Sequence, residues 1–319
     1  MSHHIVEFQD VRYHYPDGTA ALNGLSLRIT HGEAVGIVGA NGAGKSTLLL
    51  HINGSILPAS GSIIIGDLQL TAQTRKEVRK KVGMIFQNPD DQLFMPTVYD
   101  DVAFGPLNLG LGRERAAERV EEALRIVGCQ GLRDRPPHHL SSGQKSSVAI
   151  ASVIAMQPEI LVMDEPASSL DPRSRRQLIN LLNAFDHTKI VASHDLDFIL
   201  ETCERCIIVR DGRVMADGAA ETVLADKTLL EENNLELPLS LKNNPLPRHK
   251  GAAMNDLDKL KHLIEHWKEH NKEHARTYRE WAGKAASLGK NDLAGVLGEI
   301  AAETSRIDEL FIKADGLLG

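Results

Sequence analysis

A glycine-rich stretch near the start of the chain has the residue types and spacing that bind phosphate. It fits the pattern GxxxxGK[ST] and reads Gly39-Ala40-Asn41-Gly42-Ala43-Gly44-Lys45-Ser46-Thr47. An apolar run precedes this loop and an apolar helical pattern follows it, which is the context the motif requires. Glycines let backbone N–H groups surround phosphate oxygens, the lysine reaches the β- and γ-phosphates, and the serine hydroxyl binds Mg²⁺. The stretch therefore predicts a site for a nucleotide and Mg²⁺.

Two acidic residues follow a second apolar strand, residues 160–163. Asp164 can hold Mg²⁺ through water, and Glu165 can orient the attacking water or accept its proton. By itself such a pair is more often a solvated strand end. Downstream of a phosphate-binding loop, the same pair favours nucleotide hydrolysis.

The elements that must position these residues alternate along the chain. Short apolar runs predict strands at residues 5–9, 25–29, 34–38, 82–86, 160–163, 190–192 and 206–209. Helical patterns at residues 113–127 and 173–185 separate the later runs. The alternation predicts an α/β fold, with a parallel sheet covered by helices on both faces and a β-rich start.

The composition changes after residue 237. Prolines and a glycine interrupt a polar stretch there, at Pro238, Pro245, Pro247 and Gly251. A purely helical pattern follows, broken at Gly289, where Asn291 or Asp292 can cap a second helix. We therefore expect three segments: residues 1–237 as the nucleotide-binding domain, 238–254 as a linker and 255–319 as a helical hairpin.

Four further motifs resemble those of ATP-binding cassette (ABC) ATPases. The run Leu140 to Gln144 resembles the LSGGQ element, Gln87 the Q-loop glutamine, Asp171 the aspartate of the D-loop, and His194 the switch histidine. The order and spacing of these motifs match that family. The resemblance implies a P-loop cassette with a RecA-like core sheet, an N-terminal antiparallel β subdomain and a helical subdomain.

The same resemblance implies a composite active site. Two cassettes pair head to tail as a homodimer or heterodimer, so each ATP lies between one P-loop and the partner's LSGGQ-like element, here Ser141, Ser142, Gly143 and Gln144. Ser141 and the Gly143 backbone then contact the γ-phosphate across the dimer. His194 contacts it within the chain, beside Glu165 as the second catalytic group. Gln87 joins the Mg²⁺ and catalytic site to the membrane partner.

An aromatic residue matches the position on which adenine stacks in this family. Tyr15 stands just before the turn that starts at Pro16 and is the expected stacking residue. Tyr13 is the alternative, and an ordinary core tyrosine is a further interpretation.

The LSGGQ-like element departs from the family pattern. Ser142 replaces the first glycine of the usual pair, and Ser146 and Ser147 replace residues that are commonly basic. If residue 142 needs a positive φ, its side chain is strained by ~1 kcal/mol or more and should slow hydrolysis. If φ is negative, the replacement is harmless.

Residues 86–94 and 97–106 resemble the energy-coupling-factor subfamily, whose ATPases drive uptake of vitamins or of cobalt and nickel through integral membrane subunits. Residues 90–92 resemble the part that meets the coupling helices of those subunits. Residues 235–241 are more similar to the cobalt and nickel members. A vitamin importer is the alternative, and a soluble cassette ATPase of DNA repair or translation is a rival class. That rival usually has a long insertion or two cassettes, whereas each motif occurs once here.

A row of histidines marks the helical tail. His262, His266, His270 and His274 recur at steps of four, so neighbours stand one turn apart on a helix. His270 and His274, with His266 third and Glu303 or Glu299 from the second helix, make a candidate Ni²⁺ or Co²⁺ site. The alternative is a solvated helix face with His274 hydrogen-bonded in the apolar seam. Because the cassette dimerises, we expect two tails to pair as a four-helix bundle.

Charge and apolar patterning narrow the functional class. The net charge of −7 argues against a broad nucleic-acid-binding surface. The start of the chain lacks a signal-peptide pattern, and no apolar run approaches the ~20 residues of a membrane span. We therefore expect the protein at the cytoplasmic face of the membrane, held by its partners. Cys203 and Cys206 have CxxC spacing, which indicates either buried apolar positions or redox or metal chemistry.

Overall fold

The structure is a computed structural model that describes residues 4–168, 170–185, 187–242, 268, 271 and 275–316. Its contacts divide the chain into two units, Met1–Leu246 and Pro247–Gly319, which are described separately. Within those described residues, no helix has the length and apolar character needed to cross a membrane.

The first unit alternates strands and helices as the sequence predicts. Its strands are β1 (His4–His14), β2 (Ala20–Thr30), β3 (Ala34–Val38), β4 (Ser60–Ile65), β5 (Leu68–Gln69), β6 (Val82–Ile85), β7 (Ile160–Asp164), β8 (Thr188–Ala192), β9 (Arg205–Arg210) and β10 (Arg213–Ala219). Its helices are α1 (Lys45–Ile52), α2 (Arg75–Lys81), α3 (Val98–Asn108), α4 (Arg113–Ile126), α5 (Ser142–Ile154), α6 (Pro172–Asn183), α7 (Leu196–Thr202), α8 (Ala220–Val223), α9 (Lys227–Glu232) and α10 (Leu239–Lys242).

A mixed sheet forms the core of this unit, with strand order β10-β9-β3-β8-β7-β6 in the described residues. Five of these strands run parallel: β9, β3, β8, β7 and β6. Strand β10 pairs antiparallel with β9 at the edge of the sheet. Strands β3, β7 and β8 are buried along their whole length, as expected when helices cover both faces of a sheet. The predicted α/β cassette fold is therefore confirmed.

A second, antiparallel sheet has the order β2-β1-β4-β5 in the described part of the chain. Its inward side chains, among them Phe8, Leu25 and Ile63, are fully buried and join the core that also contains Ile37 of β3. Helices α3, α4 and α5 form a separate cluster around Val102, Leu124 and Val148. These are the expected antiparallel β subdomain and helical subdomain.

Strand direction decides where the functional loops meet. Because β3, β7 and β8 are parallel neighbours, the loops that follow their carboxyl ends lie at one edge of the sheet. Those loops carry residues 39–44, residue 165 and residues 193–194. Sheet topology thus brings together residues that are far apart in the sequence.

A short helix occupies the start of the segment predicted as a linker. The Asp197 carboxylate accepts hydrogen bonds from the backbone N–H groups of Leu239 (2.9 Å) and Ser240 (3.0 Å), which begin α10. Residues 239–242 are therefore folded and bound to α7, while residues 243–254 lie outside the described residues.

In the second unit, residues 275–287 form a helix, α11, and a turn at Gly289 (φ 72°) leads into α12 (Asn291–Gly316). The break predicted at Gly289 is therefore present. The Asn271 Nδ2 group donates to the Thr304 carbonyl at 2.6 Å, so Asn271 lies beside α12. Ala275, Ala285 and Ala301 are buried in this unit.

Candidate functional site

The glycine loop connects β3 to α1, and close backbone packing requires glycine at two of its positions, Gly39 and Gly44. A Cβ on Gly39 would lie 2.2 Å from the Val209 carbonyl oxygen, and one on Gly44 would lie 2.5 Å from the Ala21 carbonyl oxygen. Gly44 also has φ of 104°, a conformation that favours glycine. These contacts leave the loop backbone and the start of α1 facing the cavity.

Lys45 is folded against the same loop. Its Nζ donates to the carbonyl oxygens of Gly39 at 2.7 Å and Ala40 at 3.2 Å. Burial lowers the pKa of this ammonium group, while the nearby charges of Glu165 and Asp164 oppose that shift. The loop thus holds a cation where phosphate oxygens can replace carbonyl oxygens as its partners.

Asp164, at the end of β7, pairs with the serine of the glycine loop. The Ser46 hydroxyl hydrogen-bonds to the Asp164 carboxyl group, which is buried. Burial raises the pKa of Asp164, whereas the Ser46 hydrogen bond and the Lys45 charge lower it. The Asp164 carboxylate and the Ser46 hydroxyl lie side by side, and Mg²⁺ prefers oxygen ligands of this kind.

Glu165 is held by the residues that follow β8. Its Oε1 accepts from the His194 backbone N–H at 3.0 Å, and its Oε2 accepts from Ser193 Oγ at 3.0 Å. The Nδ1 atom of His194 lies 2.8 Å from Glu165 Oε2. Glu165 has φ of 47°, a strained conformation for a non-glycine residue, and its N–H donates to the Ala192 carbonyl at 2.8 Å. The structure therefore fixes the carboxylate beside the histidine.

These groups open into one cavity of about 620 Å³, a volume typical of a small-molecule site. Its lining contains the predicted residues Tyr15, Gly39, Ala40, Asn41, Gly42, Ala43, Gly44, Lys45, Ser46, Thr47, Gln87, Asp164, Glu165 and His194. Five further lining residues were not predicted: Thr19, Ala20, Ala21, Asn234 and Leu235. No sequence motif marks these five residues, although Asn at the end of a helical pattern is a recognised helix-stop signal.

Tyr15 occupies one wall of the cavity. Its hydroxyl lies 3.0 Å from Thr47 Oγ1, and its ring contacts the ring of Tyr13 edge to face at 5.2 Å. Tyr13 instead packs against the core and the buried ring of His51 at 5.0 Å. Because only Tyr15 of the two lines the cavity, the geometry favours Tyr15 over Tyr13 as an aromatic contact for a ligand.

The LSGGQ-like element lies away from this cavity. Ser141 caps α5 in a reciprocal pair, since its Oγ accepts from Gln144 N–H at 3.3 Å while Gln144 Oε1 accepts from Ser141 N–H at 3.0 Å. A Cβ on Gly143 would lie 2.9 Å from Ser174 Oγ, close to the Asp171 carboxylate that caps α6. The structure thus places Gly143 beside Asp171, and none of Ser141, Ser142, Gly143 and Gln144 lines the cavity that contains the glycine loop of the same chain.

Ser142 adopts an ordinary backbone conformation. It is the first residue of α5 and has no positive φ, so the condition under which its side chain would strain the backbone is not met. Ser146 and Ser147 donate their hydroxyl hydrogens to the carbonyls of Ser142 and Gly143, one turn earlier. The structure therefore accommodates these departures without strain.

The segment after Gln87 is attached to α5. Gln92 Nε2 donates to the Ala149 carbonyl at 2.8 Å and to Ser152 Oγ at 3.0 Å. Asp90 and Lys145 form an ion pair at 2.6 Å, so the segment also contacts the helix that carries the LSGGQ-like element.

The predicted tail site is only partly within the described residues. His266, His270 and His274 lie outside them, and Glu303 is exposed on α12 with its Oε1 3.3 Å from Arg306 Nη1. Among the residues that the structure does describe, no cluster of three or more His, Cys, Asp or Glu side chains is arranged to hold a metal ion.

The CxxC pair is buried and unlinked. Cys203 and Cys206 are free thiols at the junction of α7 and β9. Burial raises the pKa of Cys203 to about 11 and that of Cys206 to about 12, so both are neutral thiols near pH 7. The structure supports the interpretation of buried apolar positions.

Comparison with known proteins agrees with this geometry. The ABC transporter family matches residues 22–168, and a domain of unknown function (DUF8180) matches residues 260–318. An ABC transporter ATP-binding protein of Geobacter sulfurreducens is 56% identical over 246 residues, 77% of this chain and 99% of that protein. The energy-coupling factor transporter ATP-binding protein EcfA of Methanocaldococcus jannaschii is 46% identical over 240 residues, 74% of this chain and 86% of that protein.

Solved structures give the same result. The structure of cbiO1 from Clostridium perfringens, part of the ABC transporter complex cbiONQ, is 38% identical with a TM-score of 0.64, covering 72% of this chain and 94% of that one. A dimeric ATP-binding cassette bound to ADP and Pi is 28% identical with a TM-score of 0.62, covering 67% and 98%. The chain therefore belongs to the ABC transporter ATP-binding family, whose members use ATP and Mg²⁺ and couple ATP hydrolysis to transport.

Proposed function

We propose that this chain is the ATPase subunit of an energy-coupling-factor transporter that imports cobalt or nickel through integral membrane subunits, at the cytoplasmic face of the membrane. The observation that carries the ATPase assignment is the convergence of Lys45, Asp164, Glu165 and His194 on one cavity. The similarity to EcfA proteins supports the energy-coupling-factor type. The similarity of residues 235–241 to cobalt and nickel members supports the cargo.

The roles of the site residues follow from their positions. The loop backbone of residues 39–44 and the Lys45 ammonium bind the phosphates, and Thr47 extends that contact. Ser46, Asp164 and Gln87 would hold Mg²⁺, which neutralises charge on the phosphate oxygens. Glu165 accepts a proton from the attacking water, and His194 orients Glu165 and contacts the γ-phosphate.

The second half of the active site comes from another cassette in this proposal. Ser141, Ser142, Gly143 and Gln144 begin α5 with backbone N–H groups suited to an anion, yet they do not line the cavity of their own chain. Head-to-tail pairing gives this element a phosphate to contact. Asp171, beside Gly143, would connect the two sites across the dimer.

An exposed aromatic surface beside the Q-loop suits an integral membrane partner. The Phe94 and Phe104 rings meet edge to face at 5.0 Å, and the Phe94 residue is 63% exposed. Phe86 and Leu107 are also exposed. The buried Asp101 carboxylate holds this surface in place, because its Oδ1 accepts from the N–H groups of Phe94 and Met95 at 3.0 Å each.

The domain organisation remains part of the proposal: residues 1–237 as the ATPase domain, 238–254 as the linker and 255–319 as the helical hairpin. We assign the hairpin a metal-sensing role, with His266, His270, His274 and Glu303 as the candidate ligands. The hydrogen bond between Asn271 and the Thr304 carbonyl supports a hairpin in this part of the chain. Calorimetric titration of Ni²⁺ and Co²⁺ tests this role, and binding that persists in a His270→Ala/His274→Ala variant would contradict it.

The transport function can be tested in cells that carry Glu165→Gln at the native locus. Their cobalt, nickel and vitamin contents are compared with those of cells expressing the wild-type chain. The proposal predicts lower cobalt or nickel with unchanged vitamin levels. Loss of a vitamin alone would favour the vitamin importer, and no change in any of these would contradict an importer of either class.

A further inference from the structure

The nucleotide cavity has two ends, which differ in their chemistry. Strand β3 lies between β8 and β9, so the glycine loop is flanked on one side by the loops after β7 and β8. That side carries Asp164, Glu165 and His194 and is the phosphate end. The other side is flanked by the turn after β9, where the Gly212 N–H donates to the Ala43 carbonyl at 3.0 Å.

Asn234 lies on this second side. The Arg210 guanidinium donates to the Glu232 carbonyl, which attaches the end of α9 to the end of β9. The hairpin that carries Tyr15 is attached to the same turn, because the Asn23 N–H donates to the Gly212 carbonyl at 3.0 Å. Tyr15 and Asn234 therefore both lie at the end of the cavity away from the carboxylates.

Hydrogen bonds hold the segment that presents Asn234. The Asn233 side chain is buried and its Nδ2 donates to the Leu229 carbonyl at 2.7 Å, while the N–H of Leu235 donates to the Leu230 carbonyl at 2.8 Å. Asn234 itself has φ of 56°, a left-handed conformation that asparagine tolerates. Its side chain is exposed at the cavity wall, and no hydrogen-bond partner for its amide occurs among the described residues.

We propose that Asn234 is the base-recognition residue of this ATPase and selects adenine over guanine. A side-chain amide matches adenine with two hydrogen bonds, because its oxygen accepts from the N6 amino group while its NH₂ donates to N7. Guanine presents acceptors at both O6 and N7. The amide oxygen would therefore face guanine O6, and two acceptors cannot form a hydrogen bond. This inference rests on the proposed placement of adenine beside Tyr15.

The test compares nucleotide binding to the purified full-length chain by calorimetry, using MgATP, MgGTP and inorganic tripolyphosphate. The variants are Asn234→Gly, which removes the amide while fitting the positive φ, and Asn234→Asp, which keeps the shape but removes the NH₂ donor. Gln157→Gly is the matched control, because Gln157 is an exposed amide residue with φ of 51° outside the cavity.

We expect the wild-type chain and Gln157→Gly to prefer ATP over GTP by about 5-fold or more, the lower end of discrimination by a bidentate amide. Asn234→Gly should lose most of this preference while binding tripolyphosphate as the wild type does. Asn234→Asp should bind ATP more weakly, because N7 loses its donor, but should keep the preference, because its carboxylate still accepts from N6 and still faces guanine O6. Equal affinity of the wild type for ATP and GTP, or an unchanged ratio in Asn234→Gly, would overturn the inference. So would a matching loss of tripolyphosphate binding in both variants, because Asn234 would then support the loop. A wild-type chain that binds neither nucleotide would overturn the ATP site as well.

Discussion

Replacing Glu165 with glutamine separates catalysis from binding at this site. The structure surrounds the carboxylate with the Ser193 hydroxyl, the His194 backbone N–H and His194 Nδ1, all within 3.0 Å of one of its oxygens. A glutamine keeps one oxygen to accept from the His194 N–H, and its NH₂ can donate to Ser193 Oγ. The variant should therefore keep its fold but lose the carboxylate that we propose accepts a proton from water.

The expected loss of hydrolysis is large. General acid–base catalysis contributes roughly 10²- to 10⁴-fold, so phosphate release should fall by that factor, equivalent to about 2.7 to 5.4 kcal/mol on the barrier. Affinity for MgATP should be unchanged or higher. Glu165 interacts with the Lys45 charge, and its neutralisation removes an anion from the neighbourhood of the triphosphate.

Steady-state phosphate release and calorimetric ATP binding measure the two effects separately. Glu204→Gln is a matched control, because Glu204 is an exposed glutamate that does not line the cavity. A Glu165→Gln variant that hydrolyses ATP within 10-fold of the wild-type rate, below the range for such catalysis, would refute the role of Glu165 as the base. Equal melting temperatures of the variant and wild type would exclude unfolding as the cause of lost activity.

Three further perturbations follow from the structure. Ser142→Gly should change the ATPase rate by less than about 2-fold, because the substitution relieves no backbone strain. It should lower the free energy of unfolding by about 0.5 kcal/mol, because glycine has a lower helix propensity than serine. A tenfold increase in the ATPase rate would contradict this prediction. Burial raises the pKa of Cys203 to about 11 and that of Cys206 to about 12. In the folded chain both thiols should therefore resist alkylation by iodoacetamide at pH 8 and react only in denaturant. Mass spectrometry of the alkylated chain measures this. Phe94→Ala should weaken capture of integral membrane subunits from detergent-solubilised membranes. Met215→Ala is the control and should not weaken it, because Met215 is also an exposed apolar residue but lies on β10. Equal capture by both variants would argue against this docking surface.

Local patterns predicted the phosphate end of the site well. The strand before Gly39, the helix after Gly44 and the acidic pair after β7 are all determined by contiguous residues, and the structure brings them together. The Ser141 and Gln144 pair also carries a local signal, because S-x-x-Q is the pattern of a capping box. That pattern places Ser142 in the first turn of a helix, with φ negative.

The end of the cavity that carries Tyr15 and Asn234 could not be predicted in the same way. Asn234 reaches the cavity because Arg210 holds the end of α9 against the end of β9, a contact between residues 22 positions apart in the chain. The left-handed backbone of Glu165 likewise depends on the Ala192 carbonyl of the neighbouring strand. Both features arise from tertiary packing, which residue spacing does not encode.

The central claim is that ATP hydrolysis by this chain drives metal import, and reconstituted transport tests it most directly. The full-length chain is captured with its membrane subunits, the complex is placed in liposomes with the ATPase outside, and ATP-dependent movement of radioactive Co²⁺ and Ni²⁺ is measured. We predict that MgATP drives transport of one or both ions and that a Glu165→Gln complex transports neither. ATP hydrolysis by the wild-type complex without movement of either ion would contradict the claim.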